Sequence, residues 1–163
     1  ERKSKSVAEY FNSLSVVPVS ISYEFDPNDQ LKAMELDASE FNNKYVKEKD
    51  EDLKSIANGI TGFKGHVTLN ISEPMEFELN DDYQAISNKI TNSILKMYEL
   101  HPTNFAACNL LGWDWQGQTN FSSEEINLAQ KELDKRTKPL GISARSKLLE
   151  QYANPVIRKL QSH

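Results

Sequence analysis

Only one cysteine, Cys108, stands among 163 residues. A lone thiol excludes an intrachain disulfide and a structural zinc site, and it fits a reducing, cytoplasmic compartment. Long apolar runs are missing as well: no window approaches the roughly 18 consecutive apolar residues of a spanning helix, and Glu1-Arg2-Lys3-Ser4-Lys5-Ser6 leads into no signal-peptide core. Positive charge is in deficit, with 24 acidic against 19 basic residues, a net charge of -5 and a pI near 5.3. That balance argues against nucleic acid as a partner. The sequence holds no Gly-x-Ser-x-Gly elbow and no Gly-x-x-x-x-Gly-Lys phosphate loop, and it shows no repeat, linker or low-complexity segment.

What is present suits a globular domain. A chain of this length buries roughly 70% of its unfolded surface as one unit, and 38% hydrophobic with 26% charged residues is an ordinary composition. The expectation is a single α/β segment spanning 1–163, strands packed against amphipathic helices, with a helical tail from about residue 81. An opening Glu1 in a charged stretch running toward a strand suggests a piece of a longer polypeptide.

The clearest strand is the run in which Val17, Val19, Ile21, Tyr23 and Phe25 alternate with Pro18, Ser20, Ser22 and Glu24. A period of two places the five large apolar groups on one sheet face, expected to be the buried one. Pro18 has no amide hydrogen, so it belongs at the strand's start or where the neighbouring ladder is interrupted. A second strand is read in Val67, Leu69 and Ile71, alternating with His66, Thr68, Asn70 and Ser72. The residues between the two strands suffice for a crossover, which permits parallel pairing.

Helical spacing recurs at Val7, Tyr10, Phe11 and Leu14, and at Tyr83, Ile86, Ile90, Ile94 and Met97 behind Asp81-Asp82. Asp29 is a candidate cap for a helix from Gln30 to Leu36, and residues 37 to 54 read as a solvated helix or surface insertion. Thr103 is the expected cap of a short helix ending at Leu111. Ser122 and Glu125 match a capping box, with Phe121 able to staple onto Ile126. Leu148, Leu149, Tyr152, Val156 and Ile157 line a last helix that Pro155 is expected to bend or restart.

Candidate chemistry is sparse. Of the three histidines, His66 lies on the polar side of its strand, His101 ends a helix before a proline, and His163 is terminal. Hydrolysis would need His66 or His101 within hydrogen-bond reach of an acid inside a pocket. Gly59, Gly62 and Gly65 read first as turn formers and second as a ligand cradle. Asp26, Asn28 and Gln30 share the alternate spacing of a calcium loop but lack its glycine and terminal glutamate. Cys108, after two alanines, reads as an inert buried thiol. Asn70-Ile-Ser72 and Asn120-Phe-Ser122 match glycosylation acceptors by chance. Trp113 and Trp115 either pack a loop onto the core or anchor at a membrane interface.

Val16-Val17-Pro18-Val19-Ser20-Ile21-Ser22-Tyr23-Glu24-Phe25-Asp26-Pro27 resembles the Val-Pro-Val strand of the lysophosphatidate and glycerol-phosphate acyltransferase superfamily. Three further stretches resemble a bacterial branch of it: Gly59 through Glu73-Pro74, the helix of Ile86 to Tyr98 with Leu100-His101-Pro102-Thr103-Asn104-Phe105, and Tyr152-Ala153-Asn154-Pro155. The resemblance implies the later part of a three-layer αβα domain. It further implies transfer of a fatty acyl group from acyl-CoA or acyl carrier protein to a glycerol-phosphate or lysophospholipid hydroxyl, with no other cofactor, peripheral to the inner face of the cytoplasmic membrane through the longer protein.

The family's base and its orienting acid are a His followed five positions later by Asp. Here His66 is followed at that offset by Ile71, and His101 by Ala106. Neither that pair nor an arginine-bearing phosphate block is present, so both are expected upstream of Glu1 and no catalytic residue is assigned. Only Val17, Pro18 and Val19 carry over, as residues flanking the acyl-acceptor site, with a structural role for Pro18 equally open. The rival reading is a non-catalytic lipid- or protein-binding module built on the same sheet.

Overall fold

The fold comes from a computed structural model, which describes residues 5–42, 45, 47, 49–115 and 119–161. It is mixed α/β and mostly helical, with a small antiparallel sheet of two strands. The elements run α1 (Val7–Asn12), β1 (Val19–Tyr23), α2 (Asp29–Asn42), α3 (Glu51–Thr61), β2 (Val67–Ile71), α4 (Tyr83–Met97), α5 (Pro102–Leu111), α6 (Ser123–Thr137) and α7 (Ile142–Gln161). Contacts divide the chain into two compact units, one of Glu1–Ser22 and Thr68–Glu99, the other of Tyr23–Val67 and Leu100–Gln161.

The second unit is built around α5, α6 and α7. Its core holds Phe105 to Cys108 of α5, Ile126, Ala129 and Leu133 of α6, and Leu148, Leu149, Tyr152, Ala153 and Val156 of α7, joined by Ala33 of α2. The small residues Ala106, Ala107 and Cys108 are fully buried, which allows helix backbones to approach closely. Each fully buried Leu or Ile contributes about 1.5–3 kcal/mol of hydrophobic stabilisation.

Local signals fix these helices. Ser122 and Glu125 form the expected capping box, with Glu125 N–H donating to Ser122 Oγ (3.3 Å) and Ser122 N–H to Glu125 Oε2 (2.8 Å). Phe121 and Ile126 both join the core that α6 faces. The cap of α5 is His101 rather than Thr103: Pro102 takes the first helical position, where its missing N–H leaves nothing unsatisfied. α7 begins at Ile142 and continues through Pro155 without restarting.

α3 overlaps only the end of the solvated helix or insertion read at residues 37 to 54 and continues across Gly59, which read as a turn former. Its polar, glycine-containing sequence masks an apolar stripe of Leu53, Ile56 and Ile60, and all three lie exposed while Glu51, Ser55 and Gly59 make the half-buried side. The inward side is held by polar contact, Asn28 Nδ2 donating to the Ser55 carbonyl at 3.0 Å.

The first unit has a small core of Ala8, Phe77 and Ile86, bordered by Val7, Phe11, Val16, Met75 and Ile90. Phe11 meets Phe77 and Tyr83 edge-on, at centroid distances of 6.0 and 6.3 Å. Asn12 binds the Phe77 backbone twice, Nδ2 donating to its carbonyl and Oδ1 accepting its N–H, both at 2.9 Å. α4 starts as its sequence implies, with Asp82 accepting from Ala85 N–H at 2.8 Å.

The strands pair antiparallel, which replaces the crossover that their separation permitted. Ser72 N–H donates to the Pro18 carbonyl at 3.0 Å, a register that sets Val19 opposite Ile71 and Ile21 opposite Leu69. The burial of β1 is also the reverse of expectation: Ser20 and Ser22 are buried, at 1% and 0% exposure, while Val19 and Ile21 stand at 44% and 47%. Alternation fixed which side chains share a face, and tertiary packing chose the serine face as the inner one.

Candidate functional site

Val17, Pro18 and Val19 lie at the entrance to β1 in the first unit. Val17 and Val19 point outward with Ile21, and across the ladder Leu69 and Ile71 stand exposed beside them. Pro18 is buried on the serine side. It accepts from Ser72 N–H and has no N–H to return, so the ladder opens with half a bonded pair, as its chemistry requires.

The serine face is held weakly. Ser22 Oγ accepts from the Glu99 N–H at 3.3 Å, while Ser20 Oγ has no partner among the described residues. A buried unsatisfied hydroxyl costs about 1–3 kcal/mol. The inner face therefore stabilises the sheet little, and the apolar surface that would do so is on the outside.

A cavity of about 290 Å³ also belongs to the first unit, lined by Phe11, Tyr83, Ile86, Ser87, Ile90 and Thr91. None of Val17, Pro18 and Val19 lines it.

In the second unit, the end of the ladder builds a histidine–carboxylate pair that was not anticipated. Glu24 N–H donates to the His66 carbonyl (2.8 Å) and Phe25 N–H to the Lys64 carbonyl (2.9 Å), with Gly65 between at φ +63°. The register slips there as in a β-bulge, a device that re-aims side chains. Glu24 Oε2 accepts from both His66 N–H and His66 Nδ1, each at 2.9 Å, and the Glu24 carbonyl accepts from Thr103 Oγ1 at 2.9 Å. Glycine suits position 65 on two counts: its φ is left-handed, and an added Cβ would displace the Glu24 carboxylate from its place beside His66.

Burial pushes the Glu24 carboxyl up, but its hydrogen bonds from His66 and the charges of His66 and His101 outweigh that and hold it below the ordinary glutamate value. Nδ1 is the ring nitrogen that faces the carboxylate, which fixes the orientation of the His66 ring. The pair meets the distance that acid–base work requires, yet the His66 side chain is 87% exposed, an open surface and not an enclosed pocket. Its signal in the sequence was a glutamate and a histidine at antiparallel-matching positions, legible only once strand direction is known.

The polar centre of the second unit is Asp29, 2% exposed. Its Oδ2 binds Arg136 Nη1 and accepts from Tyr152 Oη, both at 2.8 Å, and its Oδ1 accepts from Gln30 N–H at 2.7 Å. The expected cap is thus the first residue of α2, with its carboxylate turned to an ion pair. Tyr152 Oη in turn accepts from Asp26 N–H at 2.9 Å, and the Arg136 guanidinium lies 4.7 Å from the centre of the Phe25 ring. Burial, reinforced by the Asp29 charge and hydrogen bond, drives the Tyr152 hydroxyl far above the ordinary tyrosine value, which keeps it a neutral donor. The Asp29 carboxylate is satisfied within this cluster, while the buried Arg136 Nε has no partner among the described residues.

The remaining candidates are absorbed by the fold. Asp26 accepts from Asn28 N–H (2.8 Å) and pairs with Lys32, and Gly62 sits where a side chain would strike Pro27. Cys108 is fully buried, and burial pushes its thiol up to about 11, too weak an acid to act as a nucleophile near neutrality. Trp113 and Trp115 pack against the core of the second unit, Trp115 edge-on to Phe105 at 5.1 Å with Nε1 donating to Asn109 Oδ1 at 2.9 Å. His163 falls outside the described residues. Among the described residues no group of three or more His, Cys, Asp and Glu is placed to hold a metal ion, and no helix is long and apolar enough to cross a membrane. Comparison of the chain with protein-family models, curated proteins and solved structures finds no match.

Proposed function

We propose that this chain is the carboxyl-terminal part of a glycerolipid acyltransferase, the later portion of a three-layer αβα domain in which Val17, Pro18 and Val19 flank the acyl-acceptor site. One observation carries the reading. β1 presents its aliphatic side outward at the very stretch whose sequence resembles the acceptor strand, with Val17, Val19 and Ile21 exposed over a serine face. A surface of that kind favours an apolar occupant at about 25 cal/mol per Å² covered.

In this reading a base on the upstream polypeptide takes the proton of the acceptor hydroxyl, whose oxygen attacks the thioester carbonyl of acyl-CoA or acyl carrier protein and expels the thiol. The residues of this chain supply the apolar wall along which the glycerolipid lies. The buried Pro18, with its half-bonded pair, sets the position of Val17 and Val19 on that wall. Attachment to the inner face of the membrane comes through the longer protein. The second reading, a non-catalytic lipid- or protein-binding module, uses the same outward face and differs only in turnover.

The test is acyl transfer from labelled acyl-CoA to lysophosphatidate and to glycerol 3-phosphate by the whole encoded polypeptide. Pro18→Ala is expected to raise the acceptor KM on the order of tenfold, about 1.4 kcal/mol, while Tm moves by less than about 2 °C. Parallel losses of activity and Tm make Pro18 structural. Lipid binding without turnover gives the module instead.

A further inference from the structure

We propose that the exposed apolar face of α3 is a self-association surface, on which α3 of a second copy of this chain packs antiparallel about a two-fold axis between Ile56 and Ala57, giving a weak homodimer. The surface lies wholly within the second unit, uses no residue of β1 and is independent of the acyltransferase reading.

α3 turns its apolar side away from its own unit. Leu53, Ile56 and Ile60 are 66%, 59% and 75% exposed, and Ala57 beside them is exposed as well. At 3.6 residues per turn these four fall in a stripe about 100° wide, the width that a surface helix ordinarily buries. The half-buried side is Glu51, Ser55 and Gly59, and its anchor is the polar contact of Asn28 Nδ2 with the Ser55 carbonyl.

The spacing suits another helix. Leu53, Ile56 and Ile60 stand three and four residues apart, the a–d–a interval of a coiled-coil seam. A two-fold contact presents the same patch on both copies, so it must be complementary to itself. Antiparallel pairing about the point between Ile56 and Ala57 sets Leu53 against Ile60 of the other copy, and Ile56 against its Ala57. A large side chain then enters the space above a small one, the alternation that lets facing helices interdigitate.

Charge selects a second copy as the occupant. At the start of the helix Asp50, Glu51 and Asp52 outnumber Lys47 and Lys49, and Asp52 stays 72% exposed with Lys47 on its Oδ1 at 2.7 Å. At the far end Lys64 Nζ sits on the Ile60 and Gly62 carbonyls, at 3.3 and 3.0 Å. Antiparallel pairing brings the acidic end of each copy to the basic end of the other, twice per dimer, whereas parallel pairing sets acid on acid. An anionic lipid surface would meet the acidic end of the same stripe and be repelled there.

Size sets the strength. α3 has 11 residues, which makes about 16 Å of helix about 10 Å across. Stable interfaces bury roughly 800 Å² per partner. One short helix on another falls below that, so the dimer dissociates on dilution, with a Kd on the order of 100 µM.

The test is sedimentation equilibrium of the 163-residue chain from about 10 µM to about 1 mM. The weight-average mass is expected to rise reversibly from 18.6 kDa toward twice that value. Ile56→Glu and, separately, Ile60→Gln are expected to hold it at the monomer value throughout, while Tm moves by less than about 2 °C because both positions are exposed. Asp52→Lys and Lys64→Glu are each expected to weaken association roughly fivefold, and the two together to restore it to within about twofold. A chain monomeric at every concentration overturns the proposal. So does a dimer indifferent to both seam variants, or a double charge variant that recovers nothing. A monomer that sediments with phosphatidylcholine–phosphatidylserine vesicles, and loses them on Ile56→Glu, overturns it in favour of a lipid surface.

Discussion

The helical core of the second unit and the small sheet of the first solve the same problem in opposite ways. In the former, Leu133, Leu148 and Val156 are buried to within 2% and the buried Asp29 carboxylate is held by Arg136, Tyr152 and Gln30. In the latter, the serines of β1 are inside and the aliphatic side chains are outside. Binary patterning is equally clear in both. The difference teaches that a pattern names the residues that belong together, while the surface available to cover them decides whether they are buried.

The sharpest break in that comparison is at Asp29. Asp29→Ala removes one partner of a buried pair and leaves Arg136 uncompensated, so a loss of about 3–5 kcal/mol is expected in urea unfolding. A loss near that of an exposed ion pair would mean that the cluster is not dry. Next come two aliphatic truncations measured side by side. Leu148→Ala is expected to remove about 2–5 kcal/mol, and Ile21→Ser in residues 1–163 less than about 0.5 kcal/mol. Similar losses for the two would show that the aliphatic sheet face is packed after all.

The smallest effect is the pH response of the Glu24–His66 pair. A carboxyl held below its ordinary value of 4.5 in the folded chain contributes stability that is present above that value and lost as pH falls through the folded one. Glu24→Gln removes this contribution. The fall in Tm between pH 6 and about pH 3 should therefore be shallower in the variant, and an unchanged acid limb would show that the pair contributes nothing to stability.

Much of the architecture was legible before any coordinates. α4 announced itself by Ile86 and Ile90 behind Asp82, and α6 by the Ser122–Glu125 box, because caps and periodicity are local and act within a few residues. Most of α3 stayed hidden because the stripe of Leu53, Ile56 and Ile60 is narrow and sits among charged residues and a glycine. The Asp29–Arg136–Tyr152 cluster was illegible for a different reason: Asp29 lies more than a hundred residues from both Arg136 and Tyr152, and no local pattern ties them. Of the candidate site, the strand and the awkward place of Pro18 were readable, while Glu24 opposite His66 depended on antiparallel direction and a slipped register.

The amino-acid sequence by itself determined where helices start, which side chains of β1 share a face, that Pro18 withholds a hydrogen bond, and that Cys108 is the only thiol. Those properties follow from backbone sterics and side-chain periodicity, which are fixed residue by residue. Only tertiary structure decided that the strands run antiparallel, that Ser20 and Ser22 face inward, and that Asp29 meets Arg136. Each of these is a choice among partners distant in the chain, settled by which contacts can be made together rather than by any residue alone.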